Sequence, residues 1–246
     1  MRVSCRLLGE LLVALKPMVK PGANADELEQ FTLDWMNERH VIPAFKGYHG
    51  YEYALCVSMN EEIVHGFPLK SKVFREGDIV SVDMGLIYEG AYSDTAYTFP
   101  VGPVKPEILR LLQVTFDSLY AGLGQAVAGR RLTDISHAVQ TVVEGGGYSV
   151  VRELYGHGVG IELHEEPLIP NYGLPGQGPV LKPGMTLAIE VMVNEGKAAM
   201  RTLDDGWTIV TKDGSRSAHY EHTIVITPQG PPEILTDCAV WKEPIG

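Results

Sequence analysis

Two segments of this 246-residue chain repeat one local pattern, and each segment brings two carboxylates. Residues 77–83 (GDIVSVD) end in Asp83 and are followed by Asp94, whereas residues 184–190 (GMTLAIE) end in Glu190 and are followed by Glu221. In both copies a glycine stands six residues before the first carboxylate. Self-similarity of this kind predicts two related halves that face each other and supply two acids each to one shared site.

Four carboxylates in one site would repel one another strongly unless cations held them together. Strand side chains alternate, so Ser81 shares a face with Asp83, and Ala188 shares a face with Glu190. In both copies the residue two positions before the acid is small, which leaves room for an ion. A single aspartate in a strand is usually a turn or edge residue, but matched repetition of the acids favours a metal site.

The elements around the repeats also occur twice, because each half is predicted to place two helices before a set of antiparallel strands. This order predicts an α+β fold with the helices outside the sheets. We expect a single catalytic domain over residues 1–246, with halves of about 1–104 and 105–246. The predicted helices cover residues 2–19, 24–39, 106–128 and 134–144, with Asn24 and Thr133 as caps, and the predicted strands cover 53–59, 63–67, 79–84, 87–99, 148–154, 157–164, 185–193, 207–212 and 217–227.

Charge and cysteine content restrict the partners and the compartment. The formal net charge of −11 argues against binding to a nucleic-acid backbone, which calls for a basic surface. The three cysteines, Cys5, Cys56 and Cys238, are widely spaced and form no CxxC pair, which fits a reducing compartment. No apolar run approaches the roughly 20 residues of a membrane span. We therefore expect a cytoplasmic protein that binds neither nucleic acid nor membrane.

Histidine completes the predicted metal site. His157 lies between Gly156 and Gly158, and glycines allow other groups to approach the histidine closely. Four acids and one neutral imidazole carry a charge of about −4, which balances two divalent cations. Oxygen-rich ligation suits Mn, Co or Fe(II) better than a thiolate zinc site does. Two such ions can activate a water and polarise a carbonyl, so the pattern indicates hydrolysis of a peptide or ester.

Taken in order, the motifs resemble those of the type I methionine aminopeptidases over nearly the whole chain. The motifs that carry the resemblance are residues 47–51 (GYHGY), 60–61 (NE), 64–66 (VHG), 82–83 (VD), 93–95 (SDT), 156–158 (GHG), 164–167 (HEEP), 189–190 (IE) and 220–223 (YEHT). The resemblance implies the pita-bread fold and a dinuclear site formed by Asp83, Asp94, His157, Glu190 and Glu221. It further implies that Asp94 and Glu221 bridge the two ions, that Asp83 binds one ion, and that His157 and Glu190 bind the other.

The resemblance also implies roles for residues around the metals. His65 would contact the peptide near the scissile bond, and His164 would donate a hydrogen bond to the substrate carbonyl as it becomes an oxyanion. Glu190 would take a proton from the attacking water and pass it to the departing amine. The pocket for the methionine side chain would be formed by Tyr48, Tyr51, Cys56 and Trp207, since aromatic rings and a cysteine suit a thioether.

Four positions depart from the usual family pattern. Val191 follows Glu190 where proline is common, which predicts a less rigid strand there. Phe45 stands where a small cysteine is frequent, and Leu163 where phenylalanine is frequent, so we expect an altered pocket shape. Ile161 occupies a place often held by arginine.

The resemblance implies an exopeptidase that removes the initiator methionine from nascent proteins and methionyl peptides, with preference for a small second residue. Its cofactors would be two divalent ions, with Co, Mn, Fe(II) and Zn as candidates. A monomer would suffice, because one chain supplies the whole site, and no motif decides whether the protein docks on the ribosome.

Two other functions stay open at this point. One is a prolidase or aminopeptidase P of the same fold, although such enzymes normally carry an extra N-terminal domain and the pattern at Tyr48, Tyr51, Cys56 and Trp207 favours methionine. The other is a peptide-binding relative that has lost its metals, although every ligand position here holds a residue that can bind metal.

Overall fold

The fold is a large, mostly antiparallel sheet with helices packed against one of its faces, seen in a computed structural model that describes residues 1–245. The α-helices are α1 (Arg2–Leu15), α2 (Ala25–Glu38), α3 (Pro106–Leu123) and α4 (Leu132–Gly145). The strands are β1 (Ile42–Pro43), β2 (Leu55–Met59), β3 (Glu62–Val64), β4 (Ile79–Tyr88), β5 (Ala91–Pro100), β6 (Ser149–Val150), β7 (Tyr155–Gly158), β8 (Glu165–Pro170), β9 (Thr186–Asn194), β10 (Met200–Thr202), β11 (Ile209–Thr211), β12 (Ser217–Val225) and β13 (Glu233–Ile234).

Ten strands form the main sheet, whose central order is β1-β4-β5-β12-β9-β7-β8. The β5–β12 pair joins the two halves of the chain, and the strands that carry the repeats, β4 and β9, lie on either side of that pair. A smaller sheet of order β10-β11-β3 is formed separately. The two repeats therefore occupy equivalent places about the centre of the main sheet.

The two repeats also begin in the same way. Gly77 and Gly184 both have left-handed backbone conformations, with φ of 92° and 87°, which glycine adopts without strain. Each donates its N–H to the residue that directly follows a strand of its own half, Gly77 to the carbonyl of Val101 after β5 and Gly184 to the carbonyl of Ile226 after β12. The pattern seen in the sequence thus corresponds to a repeated turn that starts β4 and β9.

Helix α1 forms because its leucines recur at helical spacing. Leu8, Leu11, Leu12 and Leu15 are fully buried, and the helix packs on β4 and β5. Helix α3 packs in the same way on β9 and β12. Helix α2 starts after Asn24, whose side chain accepts a hydrogen bond from the backbone N–H of Glu27 at 3.3 Å.

The predicted alternation along the central strands is confirmed. On β4, Val80 and Val82 belong to the hydrophobic core, which also contains Leu187 and Ile189 of β9. Their neighbours in sequence point to the opposite face of the sheet, because successive side chains alternate. Hydrophobic burial on the helix side thus fixes which residues of each strand point away from the helices.

Several predicted boundaries are wrong. The predicted strand 157–164 leaves the sheet after Gly158, because the Glu165 carboxylate accepts the N–H groups of Ile161 and Glu162 and forms a turn. The predicted strand 148–154 pairs only at 149–150. Helix α4 starts before Thr133, whose hydroxyl bonds the backbone of Gln177 instead of capping. The predicted helices 2–19 and 106–128 end at Leu15 and Leu123.

Among residues 1–245, no helix combines the length and the apolar content that crossing a membrane requires.

Candidate metal centre

Three of the predicted acids lie in one row across the main sheet, on the face opposite the helices. The strand pairings run from Cys56 to Asp83, from Asp83 to Ala96, from Ala96 to Glu221, and from Glu221 to Glu190. Residues paired in this way point to the same side of a sheet. The small side chain of Ala96 leaves space in the middle of the row.

Asp94 and His157 lie one row away on the same face. Asp94 is two residues before Ala96, and His157 pairs with Ala188, which is two residues before Glu190. Ligand-capable atoms of Asp94, His157 and Glu221 lie within 4.8 Å of one another. The sheet register therefore brings acids from both halves and one imidazole to a common centre.

The separations at this centre are too long for hydrogen bonds. His157 Nε2 lies 3.9 Å from Asp94 Oδ2 and 3.8 Å from Glu190 Oε1. Two atoms that share a metal ion, each bound at about 2.0–2.2 Å, lie at separations of this order. The spacing therefore fits shared ligation better than direct pairing.

Unpartnered oxygens give an independent sign of a cation site. Asp83 Oδ1, Asp94 Oδ1 and Glu221 Oε1 are buried and have no hydrogen-bond partner within residues 1–245. A buried acceptor without a partner costs about 1–3 kcal/mol, and more when it is charged. Divalent cations bound by these oxygens would remove that cost, so the residues present fit a metal centre.

The acids affect one another's protonation. Burial raises the pKa of Asp83 to about 7. Burial, together with repulsion from Asp83 and Glu190, raises the pKa of Asp94 well above its ordinary value. The pKa of Glu190 and that of Glu221 are raised for the same two reasons, burial first. Without cations these groups therefore favour their protonated forms, whereas bound cations would favour the ionised forms.

A hydrogen bond at one ring nitrogen of His157 orients the other ring nitrogen for metal binding. Its Nδ1 donates to the carbonyl of Gly158 at 2.9 Å, which leaves the lone pair on Nε2 facing the acids. Burial lowers its pKa to about 4, so the ring is neutral. The two flanking positions have no room for a side chain. A Cβ at Gly156 would lie 2.5 Å from the carbonyl oxygen of Ala188, and a Cβ at Gly158 would lie 2.5 Å from the carbonyl oxygen of Glu166.

A cavity of about 150 Å³ opens over this centre. Every site residue predicted from the sequence lines it, although their individual roles stay predictions. These residues are Tyr48, Tyr51, Cys56, His65, Asp83, Asp94, His157, His164, Glu190, Trp207 and Glu221, and Phe45, Val64 and Leu163 complete the lining.

One wall of the cavity is apolar. Tyr51, Cys56, Phe45 and Leu163 are buried in a single cluster against which Trp207 packs. The rings of Tyr51 and Trp207 meet edge to face with centroids 5.0 Å apart. The wall is therefore suited to an uncharged, flexible side chain.

The cavity is also lined by two histidines, His65 and His164. His65 has a left-handed backbone with φ of 59°, a conformation that is rare for residues other than glycine and that clusters at functional sites. Burial, followed by repulsion from His164, lowers the pKa of His65 to about 4. His164 Nδ1 lies 2.7 Å from the Tyr48 hydroxyl, and its ring centroid is 4.3 Å from that of His157.

The departures from the family pattern have different consequences. Phe45 and Leu163 both reach the cavity, as predicted. The expectation of a less rigid strand at Val191 stays a prediction, and β9 pairs with β12 without interruption there, with Val191 opposite Tyr220. Ile161 is 82% exposed and lies outside the cavity lining.

Sequence reasoning missed two threonines that join the strands beneath the acids. The Thr95 hydroxyl donates to the carbonyl of Glu221 at 2.7 Å, and the Thr223 hydroxyl donates to the carbonyl of Asp94 at 2.7 Å. The available signal was a threonine one or two residues after the second acid of each half. Each half thus fixes the backbone that carries the acid of the other half.

Comparison with known proteins gives a consistent result. The sequence model of metallopeptidase family M24 matches residues 1–228. Methionine aminopeptidase 1 of Bacillus subtilis is 50% identical over 230 residues, which cover 94% of this chain and 92% of that protein. Methionine aminopeptidase of Clostridium acetobutylicum is 48% identical over 238 residues, which cover 97% of this chain and 95% of that protein.

Solved structures of methionine aminopeptidases and prolidases also match this chain. The crystal structure of a methionine aminopeptidase from Thermotoga maritima matches with a TM-score of 0.94 and 51% identity, covering 96% of this chain and 95% of that one. A prolidase from Pyrococcus furiosus matches with a TM-score of 0.77 and 21% identity, covering 96% of this chain and 62% of that one, a likeness that concerns the fold alone. The predicted pita-bread fold is thereby confirmed.

Proposed function

The chain belongs to metallopeptidase family M24, and on that basis we propose that it is a methionyl aminopeptidase, which hydrolyses the N-terminal methionine from peptides and nascent proteins. The observation that carries the proposal is the composition of one cavity. Buried carboxylate oxygens without partners lie beside an apolar wall of three aromatic rings and a thiol. The first feature fits a metal-dependent hydrolase, and the second fits a methionine side chain.

The proposed cofactor is a pair of divalent ions held by Asp83, Asp94, His157, Glu190 and Glu221. Asp94, His157 and Glu221 would form the centre of this ligand set, since their ligand atoms lie within 4.8 Å of one another. Co, Mn, Fe(II) and Zn are the candidate metals, because carboxylates and one imidazole accept each of them. When bound, such ions polarise the scissile carbonyl and make a water nucleophilic near neutral pH.

Glu190 is proposed to move the proton during hydrolysis. Burial and the neighbouring Asp83 raise the pKa of its carboxyl group above the ordinary value, so the group holds a proton readily. It would accept the proton from the attacking water and deliver it to the departing amine. Only part of its side chain remains exposed to the cavity, which limits proton exchange with bulk solvent.

His164 is proposed to stabilise the oxyanion. When the Tyr48 hydroxyl donates to His164 Nδ1, the ring proton of His164 lies on Nε2. The Nε2–H group can then donate a hydrogen bond to the substrate oxygen as negative charge develops on that oxygen. Burial lowers the pKa of His164, so the ring stays neutral and keeps this tautomer. His65, which also lines the cavity, is proposed to contact the peptide beside the scissile bond.

The apolar wall is proposed to bind the methionine side chain. Tyr51, Cys56 and Trp207 supply the aromatic and sulfur contacts that suit a thioether, with Tyr48 at the same cavity. Complete burial of a methionine side chain is worth about 1.5–3 kcal/mol. We propose that a small second residue is preferred, because a bulky one would crowd the cavity of about 150 Å³.

Peptide hydrolysis after metal add-back tests the proposal. Purified protein is stripped with a chelator, reloaded with Mn, Co, Fe(II) or Zn, and given Met-Ala-Ser and Ala-Pro-Ser peptides. We expect release of free methionine from the first peptide only, and only in the presence of metal. Cleavage of the X-Pro peptide alone would indicate the prolidase-like alternative. Peptide binding without any cleavage or metal uptake would indicate the non-catalytic alternative.

We further propose that a single chain is sufficient for this activity, since every proposed residue belongs to one cavity of one chain. A cytoplasmic location is proposed because Cys5, Cys56 and Cys238 are all free thiols, as expected in a reducing compartment.

A further inference from the structure

His219 is a buried imidazole that points toward the metal centre, yet it is not among the predicted ligands. It is 1% exposed, and its Nε2 lies 3.5 Å from Glu190 Oε2. The other oxygen of the same carboxylate, Oε1, lies 3.8 Å from His157 Nε2. Glu190 is therefore flanked by two imidazoles, one at each oxygen.

The strand register explains why the ring points this way. His219 is two residues before Glu221 on β12, so both side chains lie on the face of the sheet that carries the acids. Opposite His219 stands Met192, which is two residues after Glu190. His219 is therefore diagonal to Glu190, at a distance that a long side chain spans.

The backbone of His219 is firmly held, whereas its ring has no partner. The Thr98 hydroxyl accepts the N–H of His219 at 2.8 Å and donates to its carbonyl at 2.8 Å. Within residues 1–245, neither His219 Nδ1 nor Nε2 forms a hydrogen bond. A fixed backbone with an unpaired buried ring nitrogen aimed at a carboxylate indicates a specific use of that nitrogen.

We propose that His219 is a positioning residue, whose Nε2–H donates to Glu190 Oε2 and holds that carboxylate so that Oε1 faces the metal centre. This inference rests on the proposed function of Glu190. The present separation exceeds a good hydrogen bond by a few tenths of an ångström, a gap that a small side-chain rotation closes and that is common before substrate binds.

The chemistry of the two groups favours this arrangement. An ionised carboxylate only accepts hydrogen bonds, so the tautomer with the proton on Nε2 is the one that Glu190 stabilises. Groups that orient metal ligands in this way commonly change metal affinity or activity by about 10–100-fold when they are removed.

Three variants test the proposal. His219→Leu removes the donor and keeps an apolar volume, His219→Gln keeps an N–H at a similar distance from the backbone, and Met192→Leu is the matched control. Met192 is fully buried, lies opposite His219 and cannot donate a hydrogen bond. The readouts are the dissociation constant for Mn(II), the visible spectrum of the Co(II)-loaded protein, and kcat and KM on Met-Ala-Ser.

We expect His219→Leu to weaken Mn(II) binding and to lower kcat by about 10–100-fold, with KM within about twofold and an altered Co(II) spectrum. His219→Gln and Met192→Leu should remain close to the unmodified protein. The proposal is overturned if His219→Leu keeps normal Mn(II) affinity and kcat, or if His219→Gln is as impaired as His219→Leu.

Two further arms keep the test decisive. Thermal unfolding checks that each variant folds, and if His219→Leu does not, His219→Asn replaces it, since its shorter amide falls short of Glu190 and should give the same losses. If the unmodified protein binds Mn(II) but releases no methionine, the proposed function fails, whereas the metal-binding readouts still decide the role of His219.

Discussion

Glu190 and Glu221 stand directly opposite each other on the neighbouring antiparallel strands β9 and β12. Two ionised carboxylates in that relationship repel each other and destabilise the strand pair. Strand β12 also pairs with β5, and this pair joins the two halves of the chain at the centre of the sheet. The proposed cations would therefore stabilise the fold as well as supply the chemistry.

Chelation should lower the thermal stability of the protein near neutral pH. A ligand present at about 100 times its dissociation constant stabilises the native state by about 2.7 kcal/mol, and removal of the metal removes this contribution. Thermal unfolding with Mn(II) and then with excess chelator measures the change. A double variant, Glu190→Gln with Glu221→Gln, is the control and should show little response to either addition. An unmodified protein that melts at the same temperature in both conditions would contradict the prediction.

Binding of Mn(II) should release protons and should become tighter as pH rises from about 6 to about 8. Burial raises the pKa of Asp83 from 3.8 to about 7, and the pKa values of Asp94, Glu190 and Glu221 are also raised. Below these values metal must displace protons, whereas above them it need not. Titration calorimetry in two buffers of different ionisation enthalpy counts the protons, and a binding heat that is independent of buffer at pH 6.5 would contradict the prediction.

The same shifts fix the sign of the pH dependence of the metal-free protein. An acid whose pKa is raised on folding binds more protons in the native state, so its native state loses stability as pH rises through the folded pKa. We therefore expect the contribution of Asp83 to metal-free stability to decline as pH rises from about 4 to about 7 and to be absent above that range. His157 and His219, whose pKa values are lowered by burial, instead reduce stability as pH falls below 6.5. Denaturant unfolding of chelated protein measures the sum of the two effects below about pH 6.5 and the effect of the acids alone above it.

The arrangement of the acids could be predicted from the sequence, because strand alternation and the repeat are both local patterns. The faces of β4 and β9 follow from the period of two, and the choice between faces follows from Val82 and Ile189, which must be buried. The turn after Gly158 could not be predicted from strand alternation. There the Glu165 carboxylate, rather than a neighbouring strand, accepts the backbone N–H groups of Ile161 and Glu162. The role of His219 was hidden for a related reason, since its position beside Glu190 depends on the pairing of two distant strands.

Substitution of His164 by alanine should lower kcat by about 10²–10³-fold, the usual cost of removing one oxyanion donor. Its Nε2 is the proposed donor, and metal ligation does not involve it, so Mn(II) content should stay unchanged. Steady-state kinetics and metal analysis measure the two effects. His137→Ala, an exposed histidine on α4, is the control. If the His164→Ala variant keeps a kcat near that of the unmodified protein, His164 has no role in the mechanism.

Substitution of Phe45 by alanine should broaden the choice of first residue. The Phe45 ring covers Gly85, because a Cβ at Gly85 would lie 2.9 Å from that ring. Phe45 also forms part of the apolar wall, together with Leu163. We expect the rate for phenylalanyl relative to methionyl peptides to rise about tenfold, because a missing wall group changes discrimination by about 1–3 kcal/mol.

Phe99→Ala is the matched control for this change in specificity. Phe99 is buried in the core on the helix side of the sheet, so its loss should cost a similar 3–5 kcal/mol of stability without altering the preference. Competition between the two peptides in one reaction measures the ratio directly. The same shift in both variants would mean that general loosening, rather than the pocket wall, sets the specificity.

Substitution of Thr223 by valine should lower stability by about 1–3 kcal/mol, since it leaves the buried carbonyl of Asp94 without its 2.7 Å hydrogen bond. Because that bond fixes the backbone that carries Asp94, a proposed metal ligand, we also expect weaker Mn(II) binding. Thr227→Val, which removes a hydroxyl bonded to the carbonyls of Gln229 and Pro231 at the end of β12, is the control. Denaturant unfolding and Mn(II) titration measure both effects, and a loss of stability without any change in Mn(II) affinity would limit Thr223 to a purely structural role.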